Sequence, residues 1–182
     1  VSVLYSASKI FLPFDLYIIT EYGSFTLLGN EIMNNLSTEQ KEHVANKLST
    51  EATIWLSTVG SDHRPHTVPI WFYWDETHIY FGSQDDAKKM RNIAAHPYAT
   101  LALPDTRDVI IVEGNAEFVE PSEIGDVMAG YGKKYAKAMQ AMGMNPGERE
   151  GFRLVRVTPQ KYLVWNMTPS NNGTAVSEGS ND

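Results

Sequence analysis

The spacing of apolar residues changes from helical to alternating near the start of the chain. A Ser-Thr-Glu-Gln capping box begins at Ser37, and Val44, Ala45 and Leu48 follow at helical spacing, which predicts a short helix over 38–49. From Ala52 onward, segments rich in β-branched and aromatic residues are separated by short polar turns. They predict three strands linked as hairpins, at 52–60, 65–75 and 77–83.

The second of these segments is apolar on both faces. Alternate residues of a strand project to opposite faces, and here the two sets are Val68, Ile70, Phe72, Trp74 and Thr67, Pro69, Trp71, Tyr73. We therefore expect both faces to contact protein or ligand. Because Pro69 cannot donate to a strand ladder, it predicts an edge strand or a bulge whose backbone is free to face a ligand.

The second half of the chain adds strands and two helices. The pattern predicts a helix over 86–95 that is capped by Ser83 or Asp85, and a long helix from Pro121 to Gly143. Strands are predicted at 98–103, at 108–120 with a bulge at Gly114, and as a last pair at 152–157 and 161–166. Since strand follows strand without crossovers, we expect a mainly β protein, a barrel of six or seven antiparallel strands with inserted helices.

The two ends of the chain differ from its middle. The apolar stretch 10–20 is interrupted by Pro13 and Asp15 and falls short of the roughly 20 residues of a membrane helix, so no membrane association is expected. No secretory signal pattern is present, which favours a cytoplasmic protein. We expect an N-terminal extension of unassigned role over 1–32, one domain over 33–167, and a disordered tail over 168–182.

Composition narrows the chemistry. The 182 residues carry 22 acidic and 15 basic side chains, a net charge of −7 that argues against nucleic-acid binding. The chain has no cysteine, which excludes disulfides, thiolate metal sites and a cysteine nucleophile. Common hydrolase, nucleotide-phosphate and zinc motifs are missing as well. His63 and His66 would point to opposite faces of a strand with no carboxylate at ligand spacing, so we predict no metal site.

One polar segment could bind an anion. Between Ser83 and Asn92 the chain leaves a strand and begins a helix that carries Lys88 and Lys89 near its start. Unpaired N–H groups and the partial positive charge of a helix start, together with two ammonium groups, suit a phosphate. The alternative is a solvated helix face on which Asp85 and Asp86 balance the helix dipole, and the charge pattern alone favours that alternative.

The order of motifs over 52–103 resembles the FMN-binding split-barrel family of pyridoxamine 5′-phosphate oxidase-like proteins, with a looser likeness over 50–165. The motifs that carry the resemblance are Arg64-Pro65-His66, the apolar stretch 68–72, Ile79-Tyr80-Phe81, and Arg91-Asn92-Ile93 before His96-Pro97. The resemblance implies a homodimer with flavin sites at its interface. It also implies FMN or the deazaflavin F420 as cofactor.

Carried over by position, the resemblance implies three groups of cofactor-binding residues. The backbone of Val68, Pro69, Ile70 and Trp71 would lie beside the ring, Phe81, Gly82 and Ser83 would approach the ring and ribityl chain, and Lys88 and Lys89 would hold the phosphate. His66, Tyr73 and Tyr131 are candidates for a catalytic proton donor or stacking partner. The segment after Asn166 has no Arg or Lys, whereas pyridoxamine-phosphate oxidases carry arginines there. The chain therefore looks more like the short branch that uses F420 or FMN to reduce varied substrates.

These features favour a dimeric oxidoreductase that transfers hydride to or from a small organic substrate. Because the cofactor carries such chemistry, no catalytic triad is required. Two alternatives stay open. One is a flavin- or tetrapyrrole-binding protein with a sensing or stress role and no fast turnover, and the other is a dimerisation module that binds no cofactor.

Overall fold

A computed structural model describes Met33, residues 36–143 and residues 151–166. These residues form the helices α1 (Thr38–Thr50), α2 (Lys88–Ala95) and α3 (Ile124–Ala141), a 3₁₀ turn (Pro121–Glu123), and the strands β1 (Thr53–Val59), β2 (Pro65–Trp71), β3 (Tyr73–Trp74), β4 (Ile79–Gln84), β5 (Tyr98–Ala102), β6 (Asp108–Phe118) and β7 (Phe152–Asn166). None of these helices is long and apolar enough to cross a membrane. The N-terminal extension and the C-terminal tail expected from the sequence lie outside the described residues.

All strand pairs are antiparallel and belong to one sheet of order β2-β1-β5-β6-β7-β4-β3. The sheet curls until β2 contacts β4, although four strands separate them in that order. β2 and β3 are the two edge strands, so the barrel is split between them. This arrangement confirms the predicted mainly β split barrel with inserted helices.

The curled sheet encloses one main core. Phe72 and Phe81 are fully buried there, and each large apolar side chain stabilises the fold by about 1.5–3 kcal/mol when buried. α1 packs on this core through Val44 and Leu48, and α2 packs on it through Met90 and Ile93. Both short helices therefore owe their position to the same apolar interior.

β7 is one strand of 15 residues where the sequence predicted two. The ladder between β6 and β7 shifts register between Glu113 and Gly114, which confirms the predicted bulge, and Pro159 lies opposite Gly114. A Cβ on Gly114 would lie 2.2 Å from the Thr158 carbonyl oxygen, so only glycine fits. The missing N–H of Pro159 falls where the ladder is already interrupted, and for this reason the strand continues through the proline.

The segment predicted as one strand over 65–75 is broken at Phe72. Its first part, β2, pairs with β1, and its second part, β3, pairs with β4. The predicted alternation of faces is confirmed, since Ile70, Phe72 and Trp74 are buried in the core. β2 is an edge strand, as Pro69 indicated. The chain thus crosses the split of the barrel at Phe72.

Candidate functional site

The residues predicted to hold a cofactor lie on three neighbouring elements around the split. One group is on β2, the second is on β4, and the third begins α2, which follows β4 after only three residues. β2 and β4 contact each other where the sheet curls. The fold therefore brings an edge strand and a helix start close to the same gap.

The four predicted cofactor-binding residues on β2, Val68 to Trp71, are called the ribbon below, and they are held from one side. Ile70 is buried in the core, Val68 packs against it, and the Trp71 ring stacks on the Tyr135 ring of α3, with centroids 4.6 Å apart and planes 2° from parallel. Pro69 alone of the four is exposed. The anchored side chains fix the strand, and its outer surface at Pro69 stays accessible.

Tyr135 also fastens the chain where it changes sheet partner. Its hydroxyl accepts a hydrogen bond from the Phe72 N–H at 2.9 Å and lies 2.7 Å from the carbonyl oxygens of both Phe72 and Ala52, either of which can accept its proton. Phe72 belongs to neither strand ladder, so its buried backbone groups need these bonds. Burial raises the pKa of Tyr135 to about 12, which keeps the hydroxyl protonated. From the sequence, Tyr135 is one residue of the long helix predicted from Pro121 to Gly143, and no local pattern indicates this role.

On β4 the three predicted residues have unequal access. Phe81 is fully buried, so only its backbone can face a ligand. Gly82 lies beneath the Phe152 ring, and a Cβ on Gly82 would come within 2.1 Å of that ring. Ser83 is partly buried at the end of the strand. Phe152, itself 36% exposed, thus forms a wall over Gly82 that sequence reasoning missed.

The start of α2 has no side-chain cap. The expectation that Ser83 or Asp85 caps this helix is wrong, since the N-cap is Ala87, which makes no side-chain cap bond. Ser83 belongs to β4, and the Asp85 carboxylate lies 3.4 Å from the Arg153 guanidinium. The helix begins at Lys88, two residues later than predicted, with no acidic residue in its first turn. Its first backbone N–H groups therefore have no side-chain acceptor.

The two lysines at this helix start differ. Lys88 is exposed, whereas Lys89 is partly buried, and that burial lowers its pKa. Within the ranges that the structure describes, neither ammonium group makes an ion pair. The Met90 N–H donates to the Ala87 carbonyl, whereas those of Lys88 and Lys89 have no acceptor among the described residues. A partly desolvated cation beside these two N–H groups favours an anionic ligand such as a phosphate.

The three candidates for a proton donor do not form one cluster. Tyr73 and Tyr131 both pack in the aromatic cluster beneath α3, where the Tyr73 ring lies against Gly130 and the Tyr131 ring lies 4.8 Å from that of Tyr135. Burial raises the pKa of Tyr131 above its usual range, so it stays protonated. His66 lies near the other end of β2, and its carbonyl oxygen accepts from the Thr58 hydroxyl at 3.4 Å.

The outer face of the sheet carries exposed apolar side chains. Trp55 on β1 is 43% exposed and lies directly between Pro69 on β2 and Ala102 on β5. Val59 on β1 and Tyr98 on β5 are also exposed. Thr67, Ser57 and Thr100 form a polar row between these two residues and Trp55, so the exposed apolar side chains make two small patches on this face.

Comparison with solved structures gives the same fold. HutZ, a heme storage protein from Vibrio cholerae, is 20% identical, with a TM-score of 0.57 over 68% of this chain and 92% of its own. PhzG from Burkholderia lata 383, solved with tetrahydrophenazine-1-carboxylic acid, is 19% identical, with a TM-score of 0.54 over 72% of this chain and 80% of its own. An F420 reductase is 22% identical, with a TM-score of 0.54 over 64% of this chain and 93% of its own.

These three proteins differ in what they bind, so at such identities they speak for the fold alone. No curated protein matches the sequence significantly. The family model described as pyridoxamine 5′-phosphate oxidase, in contrast, matches residues 40–166, which include every described strand and helix except the first two residues of α1. The chain belongs to the pyridoxamine 5′-phosphate oxidase family.

Proposed function

We propose that the protein is a homodimeric oxidoreductase that binds FMN or F420 and transfers hydride to or from a small organic substrate. The observation that carries this proposal is the start of α2, where an uncapped helix terminus meets the partly buried ammonium group of Lys89. Such a terminus suits the phosphate of a cofactor tail. It follows directly from β4, whose neighbour across the split is the ribbon of β2.

In this proposal the chain's own residues bind and orient the cofactor. Lys88, Lys89 and the first N–H groups of α2 hold the phosphate, and Ser83 lies next to that tail. The backbone of Val68, Pro69, Ile70 and Trp71 lies along the ring. When bound, the ring supplies the hydride chemistry, and the protein contributes orientation and the exclusion of water.

Proton supply, if the reaction needs it, falls to the groups nearest the ribbon. His66 lies two residues before Val68, Tyr73 lies two residues after Trp71, and Tyr131 belongs to the α3 cluster that packs against Trp71. Imidazole is the side chain that most often acts as a general acid or base in catalysis. We therefore rank His66 ahead of the two tyrosines as a proton donor.

The second copy in the proposed dimer covers the outer apolar face. Trp55, Pro69, Val59 and Tyr98 lie on adjoining strands, and aromatic residues are enriched in the buried centres of protein interfaces. Because Pro69 belongs both to this face and to the ribbon, a cofactor lying along the ribbon would border the partner chain. This supports cofactor sites that both copies help to form.

A second candidate function is cofactor or tetrapyrrole binding without fast turnover. It is favoured by the fold shared with a heme storage protein and by the absence, among the described residues of the ribbon, of a paired acid and base. On this alternative the same residues, on β2, at the end of β4 and at the start of α2, bind a ligand that the protein stores or senses.

Titration of the purified protein tests the proposal. We expect FMN or F420 to bind with quenched fluorescence at one site per chain. With FMN bound and NAD(P)H as reductant, or with reduced F420 added directly, we expect turnover of an added acceptor. Binding without turnover would leave the second candidate. If neither cofactor binds, or if the protein sediments as a monomer when loaded, the proposed function is wrong.

A further inference from the structure

The five histidines of the chain have different surroundings. His43 Nε2 lies 2.7 Å from the Asp108 carboxylate, and His78 Nδ1 lies 3.6 Å from the Asp75 carboxylate. His63 and His96 instead lie beside each other, with ring centroids 5.6 Å apart and planes tilted by 38°. Within the described part of the chain, no carboxylate pairs with either of these two rings.

His63 occupies a position that its backbone disfavours. It lies in the turn between β1 and β2, not on a strand as expected, and its φ of +58° is in the left-handed region. The turn is closed by hydrogen bonds from the His63 N–H to the Gly60 carbonyl at 2.9 Å and from the Gly60 N–H to the Arg64 carbonyl at 3.1 Å. Glycine would adopt this conformation at lower cost. Histidine is among the side chains that adopt this region more often than most, and here the turn holds an imidazole.

His96 comes from the end of a helix. It is the C-cap of α2, and its N–H donates to the Asn92 carbonyl at 2.7 Å. The carbonyl end of a helix carries partial negative charge and favours a cation nearby. Asp62, the acidic residue next to His63, pairs with Arg64. The Asp62 carboxylate accepts a hydrogen bond from the Arg64 backbone N–H at 3.2 Å and lies 3.9 Å from the Arg64 Nε.

The spacing of the two rings suits a shared metal ion. Metal–imidazole bonds are about 2.0–2.1 Å long, so centroids 5.6 Å apart correspond to an N–metal–N angle of about 120° when a nitrogen of each ring faces the ion. Imidazole prefers late first-row cations, with affinity rising toward Cu²⁺. No group of three or more His, Asp or Glu in the described residues is placed to hold a metal, so water would fill the remaining positions.

We propose that His63 and His96 form a two-imidazole site for a late first-row divalent cation such as Zn²⁺, Ni²⁺ or Cu²⁺. The ion joins the β1–β2 turn to the end of α2, two elements that are 33 positions apart in the sequence. This site is at the opposite end of α2 from Lys88 and Lys89, and it does not depend on the proposed cofactor.

The test uses the full chain without an affinity tag, with Ni²⁺ and Zn²⁺ as probes in calorimetry and thermal unfolding. We expect one ion per chain and a higher unfolding temperature with metal. His63→Gly relieves the strained backbone, so without metal it should unfold at the same or a higher temperature than the parent. Its affinity for the metal should fall at least tenfold. His96→Gln should lose the same affinity.

His78→Gln is the matched control, because it removes one imidazole beside a carboxylate and leaves the proposed pair intact. We expect its metal affinity to equal that of the parent. The proposal is overturned if His63→Gly binds Ni²⁺ as tightly as the parent, if His78→Gln loses the affinity, or if the parent binds no more tightly than a His63→Gly, His96→Gln double variant.

Discussion

α1 and α2 are short helices that pack on the same core, but their N-terminal ends differ. α1 begins with a closed capping box, in which Ser37 and Gln40 bond each other's backbone at 3.2 and 2.9 Å, and it ends where the Lys134 ammonium donates to the Leu48 carbonyl at 3.2 Å. α2 begins at Ala87 without any side-chain cap. Since both helices bury an apolar face, the difference does not arise from packing. The N-terminal end of α1 is closed by its own side chains, whereas that of α2 leaves N–H groups without a side-chain acceptor.

The largest expected effect is at the open start of α2. Replacing Lys88 and Lys89 together by Ala should weaken binding of FMN or F420 by about 2–4 kcal/mol, because a hydrogen bond to a charged group contributes roughly 1.5–3 kcal/mol. Lys89→Ala alone should cost more than Lys88→Ala, since Lys89 is the partly desolvated one. Fluorescence titration measures the affinity, and circular dichroism checks that the fold is intact. Unchanged affinity in the double variant would refute the phosphate placement.

Giving α2 the cap that it lacks should separate stability from binding. Ala87→Asp places a carboxylate at the N-cap, which should stabilise the fold by about 1 kcal/mol. The same carboxylate occupies the free N–H groups and repels a phosphate, so cofactor affinity should fall about tenfold. Ala87→Ser is the matched control, because it caps without charge and should lower the affinity less. Equal affinities in the parent and in Ala87→Asp would show that no anion binds at this terminus.

The converse change at α1 should affect the fold alone. Ser37→Ala opens the capping box and should lower the free energy of unfolding by about 1 kcal/mol. Cofactor affinity should stay at the parent value, because α1 contributes none of the residues proposed to bind the cofactor. Urea unfolding and the same titration measure the two quantities. A loss of affinity in Ser37→Ala would contradict the division of roles between the two helices.

Local pattern predicted the kinds of elements well. The capping box and the spacing behind it predicted α1 to within one residue of its C-terminal end, and Gly114 predicted the bulge between β6 and β7. The errors occur where tertiary contacts override local pattern. Phe72 interrupts a continuous apolar segment because the chain changes there from pairing with β1 to pairing with β4, and Tyr135, 63 residues away, bonds its backbone. Pro159 does not end β7 because its partner strand is already bulged.

The candidate site shows the same limit. The two lysines and Pro69 could be found from charge and residue type, and the family resemblance ordered them into one site. The absence of a cap at Ala87 could not be found, because Asp85 suited that role until the structure paired it with Arg153. Likewise, the ring of Phe152 over Gly82 depends on a pairing between β4 and β7 that no local signal reports.

The smallest expected effect concerns the closed end of α1. The Lys134 ammonium lies 3.8 Å from the centre of the Phe72 ring, and its burial lowers its pKa to about 8, with Glu51 opposing that shift. Between about pH 8 and 10.5 the unfolded chain therefore binds more protons than the folded chain. Above this window the burial of Lys134 does not lower the free energy of unfolding, and that free energy decreases as the pH falls through the window to below 8.

Lys134→Met removes the titrating group and keeps the aliphatic contact. Between pH 7 and 10 the stability of the parent relative to this variant should rise by about 1 kcal/mol, a figure reduced from the full shift because the Lys134 side chain remains partly solvated. Urea unfolding of both proteins at the two pH values measures the change. A difference between parent and variant that stays constant with pH would show that the Lys134 ammonium is not desolvated at the end of α1.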